Sequence, residues 1–135
     1  MHSISEESKP AVGILGVPLG YGASMAGVDM GPAALRVARL KQRISALGYA
    51  VRDYGDLRVE LPESIPEEDD KLKYVSQISS TCEELAKKVE AILESSQLPL
   101  TLGGDHSIAI GSFGDKVVIY SILSLLCLLP LLFCG

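Results

Sequence analysis

A histidine follows two glycines and an aspartate in the segment Gly103-Gly104-Asp105-His106-Ser107. The apolar run 98–102 before it predicts a buried strand, so His106 would stand just beyond the end of that strand. The two glycines make the backbone there permissive. An imidazole in this place can bind a metal ion or transfer protons. It can equally satisfy backbone groups at the strand end, and the spacing alone leaves both interpretations open.

Two carboxylates form a second candidate, because Asp53 and Asp56 stand three residues apart around a glycine. They could cap a helix, bind a cation or shape a turn. Aspartates beside glycine are typical of turns, so the pattern by itself favours turn chemistry.

A glycine-rich loop after the first apolar run offers two further sites, and the sequence argues against both. Gly20 and Gly22 resemble the start of a dinucleotide fingerprint, but its third glycine is Met25 and the next helix starts only at Pro32. A pyrophosphate would therefore miss the helix N-terminus. Ser24 sits as in a nucleophile elbow, yet no helix follows at once and no acid–histidine pair follows in order. We interpret it as a loop serine.

Strands and helices alternate around these loops. Strands are predicted at 11–17, 49–53 and 98–102 from short apolar runs bounded by turn residues. A first helix is predicted from Gly31-Pro32 to the stop at Gly48, with one apolar stripe made of Val37, Leu40, Ile44 and Leu47. The strongest helical periodicity covers 71–94 and gives Cys82 a packing role. A third helix opens at Ser107 and extends to Phe113.

The order β-α-β-α-β-α predicts a parallel sheet with helices on its faces and right-handed crossovers. Chemistry in such sheets collects at the carboxyl ends of the strands. The loops 18–30, 54–58 and 103–107 would meet there. The sequence therefore predicts an α/β protein with its site at one edge of the sheet.

Composition restricts the partners. A length of 135 residues suits one domain, and a net charge of −5 makes nucleic acid an unsuitable partner. The cysteines Cys82, Cys127 and Cys134 form no disulfide-like pattern and fit a reducing compartment.

Residues 1–10 carry no targeting pattern and are predicted to be a disordered tail. The acidic stretch 58–70 is predicted to be a solvated surface loop.

Three ordered segments resemble the ureohydrolase family, specifically the arginases. They are 103–107, the opening 18–22 with 27–36, and 53–57, so that the resemblance covers 11–115. It implies a three-layer α/β/α sandwich and oligomers of three or six subunits. It also implies hydrolysis of L-arginine to L-ornithine and urea at a paired manganese site. By this resemblance His106 is a ligand to one manganese ion, while Gly103, Gly104, Asp105 and Ser107 form the motif loop.

Two later motifs of the resembled family, Asp-Ala-His-x-Asp and Asp-x-Asp, do not occur in these 135 residues. The resemblance therefore leads us to expect a truncated sandwich, no catalytic residue of its own and no activity of this chain alone. The alternatives are a non-catalytic or membrane-tethered product, and a subunit that mixes with complete arginases. L-arginine is the substrate that the family implies.

The end of the sequence, 116–135, does not resemble the family. Residues 117–135 carry no charge, and fifteen of the nineteen are apolar. An out-of-frame or alternatively spliced end, a membrane anchor and a core segment all remain open. We expect that 117–135 does not pack as the fourth strand and helix of the family. A cytoplasmic location is expected, with membrane association through this tail as the alternative.

Overall fold

A computed structural model describes residues 9–21, 27–60 and 74–112. Three strands lie within them: β1 (Ala11–Val17), β2 (Val51–Asp56) and β3 (Gln97–Gly103). The α-helices of the described part are α1 (Gly31–Val37), α2 (Leu40–Ala46), α3 (Val75–Glu94) and α4 (Ile108–Ser112). A single 3-10 turn, Val28–Met30, precedes α1.

The described strands form one parallel sheet in the order β2-β1-β3. Against β3, the register of β1 is continuous from Ala11 opposite Gln97 to Val17 opposite Gly103. Against β2, it shifts between Ile14 and Gly16. The predicted parallel α/β arrangement is confirmed, and β1, the first strand in sequence, lies at its centre.

Helices cover both faces of the sheet, because the apolar side chains of β1 alternate between them. Val12 and Ile14 pack with Leu40 and Ile44 of α2. On the other face Leu15 and Val17 pack with the buried α3 side chains Leu85, Val89 and Ile92. A strand buried on both faces is apolar along its whole length, as 11–17 is. The result is the expected three-layer α/β/α sandwich, represented here by three strands.

The long helix follows its sequence pattern closely. Its buried side chains include Cys82, Leu85, Val89 and Ile92, which recur every three or four residues along one face. The predicted packing role of Cys82 is confirmed, since the residue is 6% exposed. α3 begins at Val75 in the described part, and the predicted start at 71–73 lies outside the described residues.

The prediction of one continuous helix from Gly31 to Gly48 is wrong. The chain breaks at Arg39, whose φ of 61° is left-handed, and α1 and α2 lie on either side of it. Val37, predicted to lie on the buried stripe, is 84% exposed. After the break, Leu40 and Ile44 of the second segment pack against Val12 and Ile14 of the sheet. Gly48, with φ 86°, ends α2 as predicted.

The remaining boundaries differ by a few residues. β2 begins at Val51 and extends through Asp56, beyond the predicted 49–53, and β3 extends past 98–102 at both ends. Residues 1–8, most of the acidic stretch 58–70 and the tail 113–135 lie outside the described residues. The predicted limits of the N-terminal tail, the family-like body and the apolar tail therefore stay predictions.

Candidate functional site

The loop after β3 is fastened to the segment after β1 by main-chain hydrogen bonds. The Gly104 N–H donates to the Val17 carbonyl oxygen (3.1 Å), and the Asp105 N–H donates to that of Leu19 (2.9 Å). A Cβ added to Gly104 would overlap the carbonyl of Leu19. Glycine is therefore required here by close backbone approach.

The Asp105 carboxylate closes the loop. Its Oδ1 accepts a hydrogen bond from the Ser107 N–H at 2.8 Å, just before α4 begins at Ile108. The third helix is predicted to open at Ser107, and the structure places that residue immediately before Ile108, where the helix begins. The capping acceptor is the side chain of Asp105, two residues earlier, as in an Asx turn.

His106 lies at the exposed tip of this loop. Its carbonyl oxygen accepts a hydrogen bond from the Ala109 N–H at 3.1 Å. Among residues 9–21, 27–60 and 74–112, no group of three or more histidine, cysteine or carboxylate side chains is arranged to hold a metal ion. The described residues thus contribute one imidazole, and they do not by themselves fit a closed manganese site.

The two aspartates in the C-terminal half of β2 bind a cation, and that cation is Arg36 of α1. Arg36 donates from Nε to Asp53 Oδ2 (2.8 Å), from Nη2 to Asp53 Oδ1 (3.0 Å) and from Nη1 to Asp56 Oδ1 (2.6 Å). The hydrogen bonds from Arg36 hold the pKa of Asp53 below its usual value, and the pKa of Arg36 is raised in return. Asp53 Oδ1 also accepts from the Gly55 N–H (2.9 Å), so the predicted turn chemistry is present as well.

The sequence does not predict this ion pair. It shows only an arginine within the predicted first helix and two carboxylates spaced around Gly55. Nothing local in the sequence couples those two segments. The fold brings them together because α1 lies beside the C-terminal end of β2.

An aromatic contact joins two other segments near the sheet. The rings of Tyr21 and Tyr74 stack with centroids 4.8 Å apart and planes 16° from parallel. The Tyr21 hydroxyl donates to the Glu60 carbonyl oxygen. Ser24 and Gly22, considered above for nucleophile and dinucleotide sites, lie outside the described residues.

A polar groove of about 160 Å³ lies between α3 and the chain that follows β2. Its lining contains no residue of the loop 103–107 and consists of Arg58, Glu60, Gln77, Ser80, Thr81 and Glu84. The groove is therefore separate from the histidine loop. In the described part of the chain, no helix combines the length and the apolar character that a bilayer span requires.

Parallel strands with helices on both faces, and a Gly-Gly-Asp-His loop at the carboxyl edge, define a parallel α/β protein. A model described as the arginase family matches residues 10–120. The chain belongs to the arginase family.

Individual relatives agree with this assignment. The arginase of Bacillus subtilis is 41% identical over 109 residues, and the hepatic arginase of Aquarana catesbeiana is 40% identical over 110, each match covering 81% of this chain. The solved arginase of Bacillus caldovelox matches 77% of the chain with a TM-score of 0.71 and 38% identity. The Bacillus cereus arginase structure gives a TM-score of 0.66 and 44% identity over the same share.

The match covers much less of the relatives than of this chain. It spans 36% of the Bacillus subtilis protein, 33% of the hepatic one and 35% of the Bacillus caldovelox chain. The chain therefore corresponds to about a third of the length of the relatives it matches.

Proposed function

We propose that this chain carries the first part of an arginase-type hydrolase site, in which His106 supplies one imidazole to a manganese ion. The observation that carries the proposal is the placement of His106 in a loop that two main-chain hydrogen bonds join to the end of β1 and to the segment just after it. Membership of the arginase family supports hydrolase chemistry of this type. The substrate that the resemblance implies is L-arginine, with L-ornithine and urea as products.

We further propose that the 135 residues alone do not turn over arginine. Attack on a guanidinium needs water made acidic by metal ions, and such ions are held by three or more protein ligands. The sequence has two histidines, and the other one is His2. Asp53 and Asp56 are engaged by Arg36, and Asp105 by the Ser107 N–H. Residues 9–21, 27–60 and 74–112 therefore offer one imidazole where the chemistry needs a set of ligands.

The activity test measures urea released from L-arginine by the purified chain with Mn²⁺ present. The complete Bacillus subtilis arginase, assayed in parallel, controls for substrate and metal. We expect the chain to remain at the level of the metal-only blank. Turnover above that blank would contradict the inactivity proposed here.

The ligand role of His106 is tested separately by Mn²⁺ titration followed by electron paramagnetic resonance. We expect weak binding that is lost in His106→Ala and retained in the matched control His2→Ala. Equal binding by both variants would assign the manganese contact elsewhere and refute the role given to His106.

A second candidate function is that of a non-catalytic subunit that assembles with complete arginases. The observation favouring it is the outer edge of β3, which pairs with no other strand among the described residues. Unpaired strand edges are templates for association. Co-expression with a tagged complete arginase tests it: the chain should co-purify in a fixed ratio, and recovery of the complete enzyme alone would refute it.

We propose a cytoplasmic location, in keeping with an arginase-type function and a cysteine pattern that suits a reducing compartment. The alternative, membrane association through 117–135, depends on residues outside the described part. The tail deletion described in the Discussion distinguishes the two.

A further inference from the structure

Helix α1 crosses the carboxyl edge of the sheet and contacts each strand there. At its first residue, a Cβ added to Gly31 would lie 2.6 Å from the carbonyl oxygen of Gly103 at the end of β3. One residue on, the fully buried Pro32 packs over the central strand, 3.0 Å from where a Cβ of Gly16 would be. The N-terminus of α1 is therefore in contact with the base of the histidine loop.

The C-terminal turn of the same helix is fixed at the other edge of the sheet, beside β2. Arg36 donates two hydrogen bonds to the Asp53 carboxylate and a third to Asp56. Asp56 in turn covers Gly16, where a Cβ would overlap Asp56 Oδ1, and the Leu57 N–H donates to the Gly16 carbonyl (2.8 Å). One side chain thus joins α1, the end of β2 and the centre of the sheet.

We propose that Arg36 is a positioning residue for the His106 loop: by clamping α1 to the end of β2, it holds Gly31 against Gly103. The inference rests on the proposed function for the importance of His106, but its geometry is independent of any metal. The side-chain hydrogen bonds of Arg36 go to Asp53 and Asp56, and its effect on the loop passes through α1, whose first residue contacts Gly103.

The clamp requires the shape of an arginine. Three donors of one planar guanidinium meet two carboxylates, and a lysine ammonium cannot reproduce this forked geometry. The side chains of Arg36 and Asp53 are 28% and 25% exposed, so water competes only partly for these hydrogen bonds. α1 has seven residues, and the left-handed Arg39 stands two positions beyond its end, so the helix does not continue into α2.

The test measures amide hydrogen exchange by NMR in the full chain. In Arg36→Ala, the Gly104 and Asp105 amides, which are bonded to Val17 and Leu19, should exchange about fivefold to tenfold faster, while the α3 amides of Leu85 and Val89 keep their rates. Arg43→Ala removes a cation from the neighbouring α2 and is the matched control, with no change at the loop. Faster exchange everywhere, or at neither amide, would overturn the positioning role.

Charge reversal separates positioning from simple loss of a side chain. Arg36→Asp combined with Asp53→Arg restores one ion pair across the same gap and should recover part of the loop protection lost in Arg36→Asp alone. If Arg36→Ala does not fold, Arg36→Lys replaces it, with an intermediate exchange rate expected and an unchanged rate counting against the proposal.

The Mn²⁺ titration of His106→Ala remains a separate measurement. A loop that responds to Arg36 while His106 binds no Mn²⁺ would refute the proposed function and leave the positioning role standing.

Discussion

The thiol of Cys82 donates a hydrogen bond to the carbonyl oxygen of Ser107 across 3.4 Å. Burial raises the pKa of this thiol, so it stays protonated and able to donate at neutral pH. Next to it, a Cβ on Gly111 would lie 2.5 Å from the Cys82 carbonyl oxygen, which brings α4 directly onto α3. The histidine loop is therefore held from two sides. The Gly104 and Asp105 amides bind it to the end of β1 and the segment that follows, and Cys82 binds it to α3.

Gly104→Ala should be strongly destabilising. The added methyl group would overlap the Leu19 carbonyl, which is backbone and cannot rotate away, so the expected cost is about 1–3 kcal/mol. Urea unfolding followed by circular dichroism measures it. Gly20→Ala is the matched control, because its Cβ would meet Val28 at an ordinary 3.5 Å. Similar stabilities of the two variants would contradict the close approach described for the loop.

Asp53→Asn should lower the stability by about 1 kcal/mol at pH 7. The pKa of Asp53 is lowered in the folded chain, so its contribution is complete above the unfolded value of about 3.9 and is lost as pH falls through the folded value. The unfolding free energies of the two proteins should therefore converge on acidification towards pH 3.

The exposed Asp29→Asn provides the control for this pH series, since Asp29 makes no ion pair in the described structure. A gap between wild type and Asp53→Asn that stays constant from pH 7 to pH 3 would show that the ionised pair does not contribute.

Leu85→Ala should cost about 2–5 kcal/mol, because Leu85 is completely buried between α3 and the sheet and its removal leaves a cavity. Val75→Ala, on the first turn of the same helix and 55% exposed, should change the stability by less than about 0.5 kcal/mol. Thermal unfolding of both variants checks the contrast, and equal losses would place the packing face of α3 elsewhere.

Deleting 117–135 should raise the soluble fraction of the expressed chain. These nineteen residues carry no charge, and an apolar segment of this kind drives aggregation or membrane insertion when left in water. Fractionation of cells expressing the full and shortened chains, with and without detergent, measures the effect. A lower soluble fraction after deletion would assign the segment to the core, whereas recovery of the full chain with membranes would favour the anchor.

The main elements were predictable because their signals are local. The run 11–17 is apolar throughout and forms the central strand, and the stripe through Cys82, Leu85 and Val89 forms the buried face of α3. Gly48 marks the end of α2 because only a residue that accepts positive φ ends it cheaply. The position of His106 just beyond β3 was predictable in the same way, from the apolar run 98–102 that precedes it.

The rest depends on contacts between distant segments. Val37 continues the spacing of Leu40 and Ile44, so periodicity alone joins them into one helix, and only the sheet beneath explains why the chain turns at Arg39. The clamp of Arg36 on Asp53 and the stack of Tyr21 on Tyr74 each link residues far apart in sequence. Such pairs produce no periodic pattern in the sequence, and the resemblance to the arginases does not reveal them either.

The central place of β1 also governs the order in which the chain can fold. Its neighbour on one side is β2, but the register with β3 pairs Ala11 with Gln97 and Val17 with Gly103, nearly the full described length away. Closing so long a loop is entropically costly and slows folding. During synthesis the edge of β1 that pairs with β3 stays unpaired until residue 103 has left the ribosome. A nascent chain paused before that point is the species most in need of a chaperone.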